Sequence, residues 1–517
     1  MIIRSGCRFE IRSNVRSLNK KILLLKHFNQ LRKSTRLKRK FITNLLLLLF
    51  LNVLIKPFWI FGIDLTVQNM VGDASYGLYF SLLNFSMILN ILLDLGITNY
   101  NNRNIAQHSQ LLKKHVSNIV GLKFLLAGVY AIVCIVVALF VYRQVVFHLL
   151  IFLILNQFLI SFTLYLRSNI SGLHLFRTDS LLSVLDRTIM IVICSVLLFT
   201  NITNHVFRIE WFIYAQTTGY LTASLITLAV VLARTGRLKF HFDRKFFLAF
   251  LKKSYPYALL ILLMSFYNRI DSVMIVGLLG DSVGPEQSGI YAHAFRLLDA
   301  FSMFGALFGG LLLPIFARMI KQKEDIGSMV QFSFLLLFVP SLLISISTGF
   351  YDQEIMELLK YSHPELSASI FQLLMVSFLG IVTTYIFGTL LTANGSIKEL
   401  NWMAIVGMAI NIILNLILIP KLMALGSAWA SLATQLFTAL AQTVLAVYIL
   451  KLKINYRMIG KLAVFVAFLF VVGYFSRQID QWIVGFFTIA ISGMLFAFAI
   501  RLINLKALAQ IIRNEQA

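Results

Sequence analysis

Residues 71–79 read Val71-Gly72-Asp73-Ala74-Ser75-Tyr76-Gly77-Leu78-Tyr79, and a similar pattern returns about 210 residues later. The second stretch reads Leu279-Gly280-Asp281 and then, after six residues, Ser288-Gly289-Ile290-Tyr291. Each stretch follows one long apolar run and opens another. An echo at a fixed period indicates a duplicated unit. In a membrane transporter, such duplication commonly places a pathway between the two copies.

The composition places the chain in a membrane. Of 517 residues, 59% are hydrophobic and 13% are charged, and the mean hydropathy is +0.83. A water-soluble protein cannot bury that much apolar surface, whereas lipid solvates it. The apolar runs are continuous rather than alternating, which excludes a transmembrane β-barrel. The three cysteines form no disulfide framework and no metal-ligand spacing, so we expect no cofactor.

A transmembrane helix needs about 20 apolar residues, and fourteen runs approach or exceed that length. They lie near residues 41–70, 77–98, 117–141, 145–166, 179–200, 209–233, 254–279, 287–317, 328–350, 367–392, 400–420, 424–450, 460–476 and 482–503. We predict an all-α polytopic membrane protein with about 14 transmembrane helices. These would form two pseudo-symmetric six-helix lobes plus two C-terminal helices, with 117–141 and 145–166 as separate spans.

The predicted domain boundaries follow from these runs. They are a basic cytoplasmic N-terminal tail (1–40), an N-lobe (41–233), a cytoplasmic inter-lobe linker (234–253), a C-lobe (254–450) and a last part with two helices and a cytoplasmic C-terminus (451–517). Because each copy contains an even number of spans, both copies have the same orientation, and their symmetry axis lies along the membrane normal.

The distribution of Lys and Arg predicts the orientation. With the N-terminus placed in the cytoplasm, 36 of the 46 Lys and Arg fall in cytoplasmic segments, 5 in outer segments and the rest within spans. This bias follows the positive-inside rule and predicts that both termini are cytoplasmic. The net charge of +25 is then explained by topology and by anionic inner-leaflet lipid, so we expect no nucleic-acid partner.

The chain resembles the multidrug/oligosaccharidyl-lipid/polysaccharide exporter superfamily, and within it the bacterial polysaccharide flippases of O-antigen and capsule assembly. The resemblance extends over roughly residues 41–503. It rests on the order and spacing of the Gly72-Asp73…Tyr76-Gly77-Leu78-Tyr79 junction, Asp94-Leu95-Gly96-Ile97 with Arg103-Asn104-Ile105-Ala106, Pro256, Arg269-Ile270-Asp271, and Gly289-Ile290-Tyr291-Ala292 running into Arg296. The first predicted span, near residues 41–70, lacks the Gly-Arg…Gly-Phe…Arg-Asp signature of lipid II flippases, which argues against a peptidoglycan precursor as cargo.

The resemblance implies a central cavity between two lobes that opens alternately to the two sides of the bacterial cytoplasmic (inner) membrane. The cargo would be an undecaprenyl-diphosphate-linked oligosaccharide, moved without covalent change, so the chain would be a transporter and not an enzyme. The bilayer and a polysaccharide polymerase with its chain-length machinery are further expected partners. Two alternatives stay open: a multidrug or cation antiporter of the same superfamily, and a membrane-embedded polysaccharide polymerase or ligase.

Charged groups within the spans mark the candidate cavity, because a charge at the bilayer centre costs about 2.5–3.5 kcal/mol. Arginine suits a diphosphate because its planar guanidinium pairs two oxygens at once. The competing interpretation is internal neutralisation, by Arg296 with Asp299, Arg269 with Asp271 and Asp186 with Arg187. The predicted cavity residues are Lys56, Asp64, Arg187, Asn268, Arg269, Asp271, His293, Arg296 and Asp299.

The energy source is a separate question. The chain has no Gly-x-x-x-x-Gly-Lys-[Ser/Thr] phosphate loop, so it is not itself an ATPase. A coupling ion, H⁺ or Na⁺, is an expectation, and Asp64 and Asp271 are the candidate carboxylates for it. Lys123 lies near the start of its span, and we expect it to snorkel toward the headgroups without a further role.

Overall fold

A computed structural model of the chain describes residues 51–502 except 53, 56, 99–100, 102–104, 106–111, 143–146, 174, 201–205 and 237–243. The predicted tail 1–40, Lys56 and Arg103 lie outside the described residues. The described residues contain helices and no strand, which confirms the predicted all-α class.

The described part of the chain contains twelve α-helices. They are α1 (Leu65–Ile88), α2 (Leu112–Val141), α3 (Phe147–Gly172), α4 (Phe176–Phe199), α5 (Ile209–Thr235), α6 (Arg244–Gln322), α7 (Gly327–Phe350), α8 (Asp352–Leu358), α9 (Pro364–Asn394), α10 (Ile397–Leu450), α11 (Tyr456–Ser476) and α12 (Trp482–Ala499). A π-helical segment, Phe58–Asp64, leads into α1, and a 3₁₀ segment, Leu89–Leu93, follows it.

Eleven helical segments among the described residues are long and apolar enough to cross a membrane, so the chain is a multi-pass membrane protein. Helices α2 and α3 are distinct, as predicted for 117–141 and 145–166. Three segments, of 36, 68 and 54 residues, far exceed the length that one crossing needs. Each contains one residue with a non-helical backbone: Gly72 (φ 77°), Gly280 (φ 77°) and Met423 (φ 53°).

These breaks fold the helices back on themselves. In α6, a Cβ atom on Gly284 would overlap the backbone of Val276. These two residues, four positions after and four positions before Gly280, are therefore in direct contact. In α10, Ser427 donates to Asn415 Oδ1 at 2.7 Å across the break at Met423. A continuous helix separates residues 12 positions apart by about 18 Å. In the first segment, Tyr76 donates to Asp64 Oδ1 at 2.9 Å across the break at Gly72. The three long segments are therefore helical hairpins, while the total of about 14 spans and the domain boundaries stay predictions.

The repeated junctions bring the two halves of the chain together. A Cβ atom on Gly77 would overlap the carbonyl oxygen of Pro285, and one on Gly289 would overlap that of Asp73. Pro285 stands 212 positions after Asp73, and Gly289 stands 212 positions after Gly77, so each copy makes the same contact on the other. Only a missing side chain allows two helix backbones to approach this closely. We call this end of the bundle, where Gly72 and Gly280 also lie, the closed end.

The last two helices pack outside this contact, against α7. A Cβ atom on Gly473 of α11 would overlap the Phe350 ring, and one on Gly493 of α12 would overlap Leu343. Buried residues of α7, α11 and α12 form their own apolar cluster. The pair is thus an addition to the two-lobed core.

Candidate functional site

A cavity of about 460 Å³ lies between the halves of the chain, and we call it the N-lobe cavity. Most of its lining comes from helices before residue 234. Its walls are formed by Trp59, Asp64, Tyr79, Leu83, Met87, Asn90, Ile91, Asp94, Asn156, Gln157, Ile160, Arg187, Gln216, Tyr220, Ile261, Ser265 and Arg296. From Tyr79 to Asp94, α1 and the following 3₁₀ segment line it for about 22 Å, running away from the closed end. Three predicted residues, Asp64, Arg187 and Arg296, line this cavity.

Arg296 joins the two halves inside this cavity. Its Nε lies 3.1 Å from Asp64 Oδ2 and donates to the Tyr76 hydroxyl at 2.9 Å. Tyr76 in turn donates to Asp64 Oδ1 at 2.9 Å, and its ring and that of Phe80 lie beside the guanidinium. Asp64 ends the π-helical segment, whose wider turn re-aims its side chains. The predicted alternative pair Arg296–Asp299 is wrong, because Asp64 holds Arg296 instead.

Arg187 is held differently. Its guanidinium lies 5.2 Å from the Trp59 ring centroid and 5.6 Å from that of Tyr220, at cation–π distance. Asp186 accepts from the backbone N–H of Arg187 at 2.8 Å. Among the residues that the structure describes, no carboxylate forms an ion pair with the Arg187 side chain. Arg187 is therefore a cavity cation with no described carboxylate at ion-pair distance from its guanidinium.

A second, smaller cavity of about 160 Å³ lies beside the first and shares Ser265 with it. Here Arg269 donates to both oxygens of Asp299, at 2.9 and 3.1 Å, and to Asn84 at 3.2 Å. Asn268 also lines this C-lobe cavity and accepts from Gln435 at 2.7 Å. The predicted alternative pair Arg269–Asp271 is wrong, because Arg269 forms its ion pair with Asp299.

Asp271 lies in a buried polar cluster and lines neither of these cavities. Its Oδ1 accepts from Asn415 at 2.9 Å and from Asn411 at 3.2 Å, and its Oδ2 accepts from Tyr291 at 2.8 Å. Within the described ranges, no Lys or Arg side chain pairs with it, although it is only 1% exposed. A buried carboxylate supported only by neutral donors is costly unless a proton or a cation joins it.

His293 lies at the closed end rather than in the cavity. Its Nε2 is 3.0 Å from Asp73 Oδ1, and its Nδ1 is 2.8 Å from the Ser367 hydroxyl. The ring stacks on Tyr361 at 3.8 Å, and Ser362 donates to the other Asp73 oxygen. These contacts tie the first junction to the second half of the chain.

Lys123 does not snorkel, contrary to expectation. It is 1% exposed, and its ammonium donates to the Leu93 carbonyl at 2.9 Å, to Asp94 at 2.5 Å and to Ser161 at 3.1 Å. Its long side chain reaches inward because Asp94, which lines the N-lobe cavity, offers a nearby anion. The pair anchors the end of the 3₁₀ segment that follows α1.

Four amide side chains in the N-lobe cavity escaped the sequence analysis. Asn90 donates to Gln157 at 2.7 Å, Gln216 donates to the Tyr79 hydroxyl at 2.8 Å, and Asn156 is buried. The residues predicted from the sequence were charged residues and polar residues close to them, such as Asn268. A carboxamide elsewhere in an apolar span also costs free energy and marks the same kind of site.

The fold is similar to that of solved transporters of the MOP superfamily, which confirms the fold that the resemblance implied. The chain is similar to the lipid II flippase MurJ in an inward closed conformation, with 14% identity, 87% of this chain and 99% of that chain covered, and a TM-score of 0.64. It is similar to an inward-facing multidrug resistance MATE family transporter of that superfamily (14% identity, 75% and 93% covered, TM-score 0.53). A third similar structure is a MOP superfamily transporter from Pyrococcus furiosus, with 15% identity, 78% of this chain and 94% of that chain covered, and a TM-score of 0.51.

The family follows from the sequence itself. A model described as "Polysaccharide biosynthesis protein" matches residues 42–320, which is more than half of the chain. The chain therefore belongs to this polysaccharide biosynthesis protein family. No curated protein matches it.

Proposed function

We propose that the chain is a flippase that moves undecaprenyl-diphosphate-linked oligosaccharide repeat units across the bacterial cytoplasmic membrane, for the assembly of O-antigen, capsule or exopolysaccharide. The polysaccharide family and the transporter fold support this proposal. The glycan would cross inside the protein while the polyprenyl tail stays in lipid. Each sugar hydroxyl left without a partner in hydrocarbon costs about 2–7 kcal/mol, so a polar cavity removes most of the barrier.

The observation that carries the proposal is the environment of Arg187. The other charges on the cavity wall are paired, Asp64 with Arg296 and Asp94 with Lys123. Among the described lining residues, Arg187 alone is a cation with no carboxylate at ion-pair distance. A guanidinium that rests beside two aromatic rings keeps its N–H groups available to pair with phosphate oxygens. An antiporter for cations would instead require a free carboxylate in this cavity.

Alternating access would work by rocking of the two halves about the contact at the closed end. With the orientation predicted from the positive-inside rule, both termini are cytoplasmic and the closed end faces outward. Cargo would then load from the cytoplasmic side, and separation of Gly77 from Pro285 would release it outside. The polymerase and its chain-length machinery would receive it there.

Replacing Arg187 by glutamine tests the binding role. We expect transport of a fluorescent undecaprenyl-diphosphate glycan in proteoliposomes to fall about 10- to 100-fold, since a hydrogen bond to a charged group contributes about 1.5–3 kcal/mol. The matched control is Arg177→Gln at an exposed position near the start of the same helix, which should transport normally. Equal transport by both variants would remove Arg187 from the cargo site.

Asp271 is the proposed coupling-ion site. The residues that would hold a cation are Asp271, Asn411, Asn415 and Ser427, because a hard cation such as Na⁺ prefers carboxylate, amide and hydroxyl oxygens. The two asparagines can turn their amide oxygens toward the ion in place of the N–H groups they now direct at Asp271. A proton on Asp271 would neutralise the same buried charge.

We expect wild-type transport to accelerate under either a Na⁺ or a pH gradient, and Asp271→Asn to lose that response and about tenfold of the rate. The neutral amide keeps the size of the side chain while removing the charge that binds the ion. Asp299→Asn is the control, since that carboxylate is already paired with Arg269 and its variant should still respond to the gradient. A gradient response retained by Asp271→Asn would contradict the assignment.

The same assay separates the alternatives. Efflux of a cationic drug with no movement of the glycolipid would favour the multidrug or cation antiporter. A lengthened or transferred glycan, detected by mass spectrometry of the recovered lipid, would favour a polymerase or ligase.

A further inference from the structure

Asn156, in the middle of α3, lines the N-lobe cavity and is 2% exposed. Both of its side-chain polar atoms, Oδ1 and Nδ2, are buried and find no hydrogen-bond partner among the residues that the structure describes. A carboxamide with both ends unpaired is costly in a protein interior, and few native side chains are left in that condition. The site therefore calls for a group that this chain does not itself supply.

The neighbouring amides of the cavity do not share this condition. Gln157 accepts from Asn90 at 2.7 Å, and Gln216 donates to the Tyr79 hydroxyl at 2.8 Å. The N-lobe cavity thus satisfies its other amides internally. Asn156 is the exception on the described wall, and it lines the same cavity as Arg187, which has no carboxylate at ion-pair distance.

The chemistry of a carboxamide limits what could complete it. Its oxygen accepts and its nitrogen donates, so its best partner presents one donor and one acceptor side by side. On a sugar, an acetamido group or two neighbouring hydroxyls meet this requirement. A cavity of about 460 Å³ is in the size range of small-ligand sites, and the aromatic rings of Trp59 and Tyr220 offer apolar walls.

We propose that Asn156 determines cargo specificity by recognising a paired donor and acceptor on a sugar of the lipid-linked oligosaccharide. This inference rests on the proposed function. Because Arg187 would hold the diphosphate in the same cavity, the sugar recognised by Asn156 is one close to the diphosphate. Because both polar atoms are buried in the cargo-free protein, the Asn156 side chain would turn toward the cavity when the sugar binds, and both atoms would then be paired.

The test replaces Asn156 by leucine, which has a similar size and no polar atoms. Removing an unpaired buried amide should leave the thermal unfolding temperature of the cargo-free protein in detergent unchanged or higher. Transport in proteoliposomes should nevertheless fall at least about tenfold, because two hydrogen bonds to the cargo are lost. Ser333→Ala is the matched control, since Ser333 is also buried and unpartnered in the described structure but lies in α7, outside both cavities.

Two cargoes distinguish the two sugar chemistries: undecaprenyl-diphosphate glycans that differ only in an acetamido or a hydroxyl group at one ring position of the first sugar. Wild type should prefer one of them, and Asn156→Leu should lose that preference. A lower unfolding temperature, or wild-type rates for both cargoes in Asn156→Leu, would overturn the inference while leaving the flippase intact. Failure of wild type to move any lipid-linked glycan would overturn the proposed function itself.

Discussion

Gly77→Val should abolish transport, by keeping the two halves of the chain apart at the closed end. The Cβ atom of any residue here would overlap the Pro285 carbonyl, and a backbone atom cannot move away as a side chain can. Overpacking against backbone costs about 3 kcal/mol or more. That penalty applies only when the halves meet, so it shifts the equilibrium between the closed and open forms by more than about 100-fold.

Gly289→Val should have the same effect, because Gly289 makes the pseudo-equivalent contact with Asp73. The control is Gly128→Val in α2, where an added side chain meets open space. Transport should be measured together with the distance between spin labels at Ala74 and Ser282, two exposed positions at the closed end. Longer distances are expected in both closed-end variants only. Wild-type transport in either would refute the idea that this contact opens and closes.

The second large effect concerns Arg296 and Asp64. Arg296→Gln leaves the Asp64 carboxylate, 5% exposed, without its cation, and breaking one partner of a buried pair costs about 3–5 kcal/mol. We expect the free energy of unfolding in detergent to fall by about 3–5 kcal/mol in this variant. We also expect transport to fall more than about 100-fold. The double variant Arg296→Gln/Asp64→Asn should recover most of the stability, because no buried charge remains unpaired.

Transport by the double variant decides what the pair does. We expect it to stay impaired, because the ion pair joins the two halves of the chain inside the cavity where cargo would bind. The matched control is Arg269→Gln/Asp299→Asn in the C-lobe cavity. Those side chains are 26% and 31% exposed, so solvent weakens their interaction to about 1 kcal/mol and the single variants should be milder. Full transport by the Arg296/Asp64 double variant would mean that the pair is structural only.

The sequence alone indicated several charged residues of the site. Apolar spans make charges rare, so Asp64, Arg187, Arg269 and Arg296 stood out, and the structure brings all four to cavities. Lys123 stood out too, but its position near a span end suggested the headgroups. The burial of Lys123 depends on Asp94, 29 positions earlier, and no local pattern shows that the two meet.

Other side chains could not be paired from the sequence because their partners are remote. Arg296 meets Asp64 across 232 positions, and Asp271 meets Asn411 and Asn415 about 140 positions later. The sequence did not indicate Asn156 as a site residue, since a single amide lowers the hydropathy of a long apolar run very little.

The class of the protein, the position of most helices and the duplication could all be inferred from the order of the residues. In lipid every backbone polar group must be paired within its own helix, so about 20 apolar residues suffice to define a span, whatever surrounds it. The packing of the helices establishes which charges neutralise each other, which carboxylate lacks a cation and which amide lacks a partner. Those contacts depend on distances of a few ångströms between helices that are far apart in the chain. The hydropathy of the sequence does not reveal such distances.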